Sequence, residues 1–129
     1  VIGFLDDNVL LHNHLINDLP VLGGIDLLQK FTNLNVVIGV SEPNLKMRII
    51  KKIREMNEFI DFPSFFHPSV SINSKLIKFG IGNIVCQYCL FTTNIEIGNF
   101  NTFNTFNAFS AFSPFNAVFR CLDGPLEFH

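Results

Sequence analysis

The spacing of apolar residues changes along the chain, and each change marks a different kind of structure. Val1-Ile2-Gly3-Phe4-Leu5 is a short apolar run halted by Asp6-Asp7-Asn8, which predicts a buried strand ending in an acidic turn. Leu19-Pro20-Val21-Leu22 reads as an extended piece closed by Gly23-Gly24, and Ile25 to Phe31 as two turns of helix. The β-branched run Asn35-Val36-Val37-Ile38-Gly39-Val40 predicts a second strand, covered on both faces. Ser41 is placed to cap the next helix, with Pro43 in its first turn. Leu45, Ile49, Ile53, Met56 and Ile60 then recur at steps of three or four, opposite a polar face of Lys46, Lys51, Lys52 and Glu55. Such a basic face is ordinarily solvated. Strand, helix, strand, helix in this order predicts a small parallel α/β unit.

Phe62-Pro63-Ser64-Phe65-Phe66-His67-Pro68-Ser69 interrupts that pattern with two prolines and is the predicted boundary. Beyond it a step of six takes over: Phe79, Val85, Phe91, Ile97, Phe103, Phe109 and Phe115 are all apolar, and Gly80 and Gly98 come directly after two of them. A hexad of this kind is the signature of a parallel β-helix, in which the repeating residue points into the shaft. The small residue after it is expected to help turn the corner. From Phe100 to Phe115 a Phe stands at every third position. Phe103, Phe109 and Phe115 keep the inward register, whereas Phe100, Phe106 and Phe112 fall out of phase and should face the opposite way. Large apolar residues on both faces predict an aggregation-prone or unsettled tail.

Composition narrows the partners. The net charge is −2, and basic residues gather only between Lys46 and Arg54, so no nucleic acid is expected to bind. No apolar run approaches the roughly 20 residues that cross a bilayer, and no basic segment with an apolar stretch opens the chain. The expectation is a soluble, cytoplasmic protein with no membrane partner. Three cysteines, Cys86, Cys89 and Cys121, are too few for a disulfide framework and fit a reducing compartment. Cys86-Gln87-Tyr88-Cys89 has the spacing of half a zinc site but no second pair, so it reads as coil lining. Neither thiol has an evident base to activate it. His12 and His14 read as exposed loop residues.

Several segments in one order and spacing resemble a known family: Gly3-Phe4-Leu5-Asp6-Asp7-Asn8, the LPVLGGID run from Leu19 to Asp26, Val37-Ile38-Gly39, His67-Pro68-Ser69-Val70, Gly82-Asn83-Ile84-Val85, and Thr92 through Phe100. The family is the sugar O-acyltransferases, related to sialic-acid O-acetyltransferase and to UDP-4-amino-sugar N-acetyltransferases. The likeness covers residues 1 to about 104. It implies a Rossmann-like N-terminal domain that holds a nucleotide-sugar, then a left-handed β-helix of hexapeptide repeats that forms a homotrimer in full-length relatives. Acetyl-CoA, the co-substrate, would bind between neighbouring helices. Asp6 and Asp7 match the acidic pair that contacts the nucleotide, consistent with carboxylates at a sheet's carboxyl edge accepting from ribose hydroxyls or a base N–H. Gly39 matches a glycine that lets the ligand approach the backbone. Asn104 aligns with an Asn near the reacting amine or hydroxyl. The family's general base is a His seven residues further on, with an acidic residue directly after it. Those positions hold Ala111 and Phe112, neither of which accepts a proton. The glycine-rich turn after the family's first strand also has no counterpart, so phosphate contacts are unassigned.

The expected organisation is a partial Rossmann-like nucleotide-sugar-binding domain over residues 1–62, a junction over 63–69, left-handed β-helix coils over 70–104 and a Phe/Asn-rich degenerate tail over 105–129. The expected function is acetyl-CoA-dependent acyl transfer to a UDP-sugar or related nucleotide-linked sugar, in a truncated or inactive copy with no catalytic residue assigned. A non-catalytic nucleotide-sugar binding module would keep Asp6, Asp7 and Gly39 and need no His. A dinucleotide-binding oxidoreductase fragment is weakened by the hexads and by the lack of Gly-x-Gly-x-x-Gly.

Overall fold

The computed structural model describes residues 1–92 and 94–105, together with the backbone of 108–109 and 117–119. Residues 1–34 and 49–61 form one compact unit, and residues 35–48 with those from 62 onward form another.

In the first unit, β1 (Phe4–Leu5) runs parallel to β3 (Leu19–Gly23), and β2 (Leu15–Ile16) pairs antiparallel on the other side of β3. The run predicted as a strand from Val1 pairs only from Phe4, and Val1 and Ile2 are exposed. Asn17 and Asp18 link β2 to β3 with φ of +49° and +63°, the left-handed pair that a tight hairpin turn of matching twist requires. The helix predicted from Ile25 forms as a 3-10 helix over Ile25–Lys30. Asn57 closes its far end by donating through Nδ2 to the carbonyls of Leu28 and Phe31, each at 2.8 Å. Val21, Leu28, Ile50, Ile53 and Ile60 supply the buried apolar residues.

The run Asn35 to Val40 departs from its predicted strand. Pairing is confined to β4 (Leu34–Asn35), which pairs with β5 (Ile60–Asp61). Val37 is exposed and only Ile38 is buried. β-Branched composition favours an extended backbone, but a strand exists only where a neighbour accepts its hydrogen bonds.

Helix α1 (Pro43–Met56) starts with Pro43 as expected, but its cap is Glu42 rather than Ser41. The Glu42 carboxylate accepts from the N–H groups of Asn44 (3.0 Å) and Leu45 (2.6 Å), two donors a helix start leaves unpaired. The buried face departs from expectation in its first two turns, while Ile53 and Ile60 are buried as expected. Lys46, Ile50 and Ile53 are buried while Leu45 is exposed. Lys46, read as part of the solvated face, has its apolar stem covered and its ammonium donating to Thr102 Oγ1 at 2.9 Å.

The second unit is a coil. Its rungs visit three sheets in rotation: β6 (Phe65–Phe66), β8 (Ile84–Val85) and β11 (Thr102–Phe103) in one, β7 (Ile77–Phe79), β10 (Ile95–Ile97) and β13 (Ala117–Phe119) in the second, β9 (Leu90–Phe91) and β12 (Ala108–Phe109) in the third. All pairings are parallel, and Ile77 beside Ile95, Ile84 beside Thr102 and Leu90 beside Ala108 each mark a step of eighteen residues, which is three hexads. The hexad reading therefore holds from Phe79 to Phe103. Val85, Phe91, Ile97 and Phe103 are buried, and they join Ile77, Cys89 and Ile95 in one cluster with Phe79 packed against it. Phe66, Phe79, Phe91 and Phe103 climb the shaft as successive edge-to-face pairs with centroids 4.9, 5.2 and 5.3 Å apart, the geometry that aromatic quadrupoles favour.

The corners differ from expectation. Gly82, Tyr88, Asn94 and Phe100 all have φ between +51° and +66°. The left-handed turn thus falls three residues after each inward position, not one. Gly80 has a different role: a Cβ there would strike the Asn99 side chain and the Gly98 carbonyl of the next coil. Phe100, expected to face away from the shaft, occupies such a corner and is only 4% exposed. Its ring lies over Gly82 and meets Phe62 edge-on at 5.3 Å.

The last rung breaks the hexad count. Ile97 is paired with Phe119 instead of lying opposite Phe115, because the step to β13 is four residues longer than the others. Phe106, Phe112 and Phe115 themselves lie outside the described residues, as do Ala111, Cys121 and His129. Among the described residues no helix is long and apolar enough to cross a membrane.

Candidate functional site

The acidic pair stands at the carboxyl edge of the parallel strands β1 and β3. The Asp6 N–H donates to the Gly23 carbonyl at 2.9 Å, extending the pairing one residue past the strand. The chain then turns, because Asp6 Oδ1 accepts from the Asn8 N–H at 2.8 Å and Asn8 Oδ1 accepts from the Leu10 N–H at 3.1 Å. These are the local bonds by which Asp and Asn divert a backbone from strand pairing. The His12 ring, through Nε2, donates to the Asp6 carbonyl at 2.7 Å, which assigns the proton to that nitrogen.

Asp7 is held from two other elements. Its Oδ1 accepts from the Ile25 N–H at 2.8 Å, at the start of the 3-10 helix after β3. Its Oδ2 lies 3.4 Å from Lys52 Nζ on α1, and the same ammonium is 3.4 Å from Asp26 Oδ1. A Cβ on Gly24 would sit 2.9 Å from Asp7 Oδ1, so glycine there leaves the carboxylate room to reach the Ile25 N–H. That backbone bond, opposed by slight desolvation and aided by the Lys52 charge, lowers the Asp7 pKa below the usual carboxylate value. On Lys52 desolvation acts downward, but the hydrogen bonds and charges of Asp26 and Asp7 outweigh it and raise the ammonium's pKa.

The resulting pH dependence has a definite sign. A carboxyl whose folded pKa is lowered adds stability above its unfolded value and loses it as pH falls through the folded one. Urea midpoints of wild type and Asp7→Asn should therefore differ most near neutrality and converge below the lowered Asp7 pKa. A gap that stays constant down to pH 2 would remove the ionic role of Asp7. The ion pairs are half-exposed, and their strength should fall with added salt.

Asp6 and Asp7 are thus brought together with Gly24, Ile25, Asp26 and Lys52, all in the first unit. Gly39 and Asn104 belong to the second unit. A Cβ on Gly39 would meet nothing within 4 Å, so its side is open. Asn104 is exposed just after β11, and its carbonyl accepts from the Cys89 thiol at 3.0 Å. At the His-Pro-Ser motif the Ser69 hydroxyl donates to His67 Nδ1 at 2.9 Å and accepts from the Tyr88 N–H at 2.9 Å, binding the motif to the next coil. Among the described residues no group of three His, Cys, Asp or Glu is placed to hold a metal ion.

Lys52, Gly24 and Lys46 have roles that no local pattern announces. Gly24 is visible as part of a glycine turn, but its pairing with Asp7 across seventeen residues leaves no local signal. The two lysines sit within a run of charge that periodicity assigns as a whole to solvent.

A three-sided parallel coil is the fold of the β-helix acetyltransferases, and the chain shares it with solved structures of that class. The acetyltransferase domain of PglB from Neisseria gonorrhoeae, in complex with acetyl coenzyme A, superposes with a TM-score of 0.75 at 17% identity over 92% of this chain and 54% of that one. PerB from Caulobacter crescentus, in complex with CoA and GDP-perosamine, gives 0.65 at 17% identity over 74% of this chain and 46% of that one. This chain therefore spans about half the length of the acetyltransferases it matches. No protein-family model matches the chain, and no curated protein matches it.

Proposed function

We propose that this chain is an acetyl-CoA-dependent acyltransferase of nucleotide-linked amino sugars, in a copy that has lost its general base. The observation that carries the reading is the eighteen-residue parallel coil with its inward hexad residues, a fold shared with structures solved with acetyl-CoA, CoA and GDP-perosamine. In this reading the coil is left-handed, trimerises in complete relatives and takes acetyl-CoA as co-substrate. The first unit is the nucleotide-binding part of a Rossmann-like domain. Asp6 and Asp7, at the carboxyl edge of parallel strands, accept from ribose hydroxyls or a base N–H. Gly39 lets the ligand approach its backbone, and Asn104 lies beside the attacking amine. That amine must lose a proton as it meets the thioester, and Ala111 and Phe112 cannot take it.

The expected behaviour is binding without turnover. Calorimetry should show a UDP-amino-sugar bound and NAD not bound, while an acetyl-transfer assay shows no rate above background. Binding of NAD alone would remove both the transferase reading and the non-catalytic sugar-binding module. Turnover at ordinary enzymatic rates, of order 1–1000 per second, would show that another group supplies the base.

A further inference from the structure

We infer that Lys46 is a positioning residue for Asn104, the side chain that the proposed function sets beside the reacting amine. The inference rests on that reading and adds to it how the acceptor end of the substrate is held. Lys46 is 6% exposed. Its Nζ donates to Thr102 Oγ1 at 2.9 Å and lies 3.4 Å from the Phe100 carbonyl. A buried ammonium is stable only where acceptors replace its lost water, and these two acceptors belong to one short segment, residues 100–102.

That segment is in a conformation its residues do not favour by themselves. Phe100 has φ +58°, a left-handed backbone that is strained for a bulky side chain and persists only when its surroundings fix it. The ring is fixed by Phe62, the next peptide by the Asn101 N–H donating to Asn83 Oδ1 at 2.9 Å, and the Phe100 carbonyl by Lys46. From there β11 runs in register with Ile84 and Val85 straight into Asn104. At that end the Cys89 thiol donates to the carbonyls of Asn104 and Phe103, at 3.0 and 3.7 Å. Residues 100–104 are thus gripped at one end by a cation from α1 and at the other by a thiol from the coil's core. Asn104, exposed just past the end of β11, takes its place from both.

Calorimetry on the full chain tests this. The affinity for a UDP-linked amino sugar divided by that for UDP isolates the sugar's contribution. Lys46→Met should cut this ratio on the order of tenfold, the size of effect expected when about one hydrogen bond to the sugar is lost, and leave the affinity for UDP unchanged. Lys46→Arg should restore most of it. Asn104→Ala should cut the ratio as much, with no further loss in the double variant, since the two residues then act through one contact. A merely structural role would lower both affinities together. Should Lys46→Met fail to fold, Thr102→Val decides, because it removes one acceptor and keeps the side chain's shape; a smaller loss in the same ratio is expected. An unchanged ratio in these variants, or additive losses in the double variant, would overturn the inference and leave the nucleotide-sugar reading in place. Absence of any nucleotide-sugar binding by the wild type would overturn both.

Discussion

Phe91→Ala should lower the unfolding free energy by about 3–5 kcal/mol, the range for truncating a buried aromatic, with urea denaturation as the measurement. Phe91 is buried in the middle of the coil's cluster, and its ring meets Phe79 at 5.2 Å and Phe103 at 5.3 Å, both nearly perpendicular. Truncation removes the transfer free energy of the ring, leaves a cavity that parallel rungs above and below cannot close, and breaks two edge-to-face pairs at once. Phe91→Leu keeps most of the volume and should cost about 1–2 kcal/mol. A loss under about 1 kcal/mol for the alanine variant would mean that the shaft is not packed around this stair.

Asn83→Leu should cost about 3 kcal/mol, because it strips partners from several buried groups at once. Asn83 has no solvent exposure. Its Nδ2 donates to the Gly98 carbonyl at 2.8 Å, and its Oδ1 accepts from the Asn101 N–H and Nδ2 at 2.9 and 3.1 Å. Below it, the Asn83 N–H donates to Ser64 Oγ at 3.1 Å, and Ser64 donates onward to the Gly80 carbonyl at 2.8 Å. Every rung of this internal ladder is satisfied, and among the described residues no buried side-chain nitrogen or oxygen lacks a partner. A leucine of similar size fills the space and keeps the main-chain bond to Ser64, but it leaves the Gly98 carbonyl and the Asn101 N–H and Nδ2 without this side-chain partner. Thermal or urea unfolding reads the effect, and a variant as stable as wild type would show that the ladder adds nothing net.

The two variants separate what is legible in the chain from what is not. The place of Phe91 in the core comes from counting in sixes, since a residue that recurs once per side of a coil must point the same way each time. Asn83 carries no such mark. It occurs four residues after an inward Phe, as any turn residue can, and its value lies in meeting Asn101 eighteen positions later. The hexad count also fails where the chain adds residues between rungs, so that Phe119 takes the register place assigned to Phe115. Phe100 shows the limit of alternation arguments: side chains alternate along a strand, but a corner in the left-handed region resets the direction.

The acidic site divides in the same way. That Asp6 and Asp7 end a strand is readable, because apolar residues stop where they do. That Asp7 is locked by Ile25 and Lys52 while Asp6 is spent on its own turn depends on elements brought together from eighteen and forty-five residues away.

By itself, then, the sequence determined the period of the coil, the inward row from Phe79 to Phe103, the helix that Pro43 opens and the acidic strand end, because each is a local repeat or a local stop signal. Only the tertiary structure decided which residues begin the buried face of α1, that Val36 to Val40 is no strand, how the corners turn, that Lys46 is buried against Thr102, and that Lys52, still part-exposed, faces Asp7 and Asp26. Those outcomes rest on contacts between residues distant in the chain, where burial and partner geometry outweigh intrinsic preference.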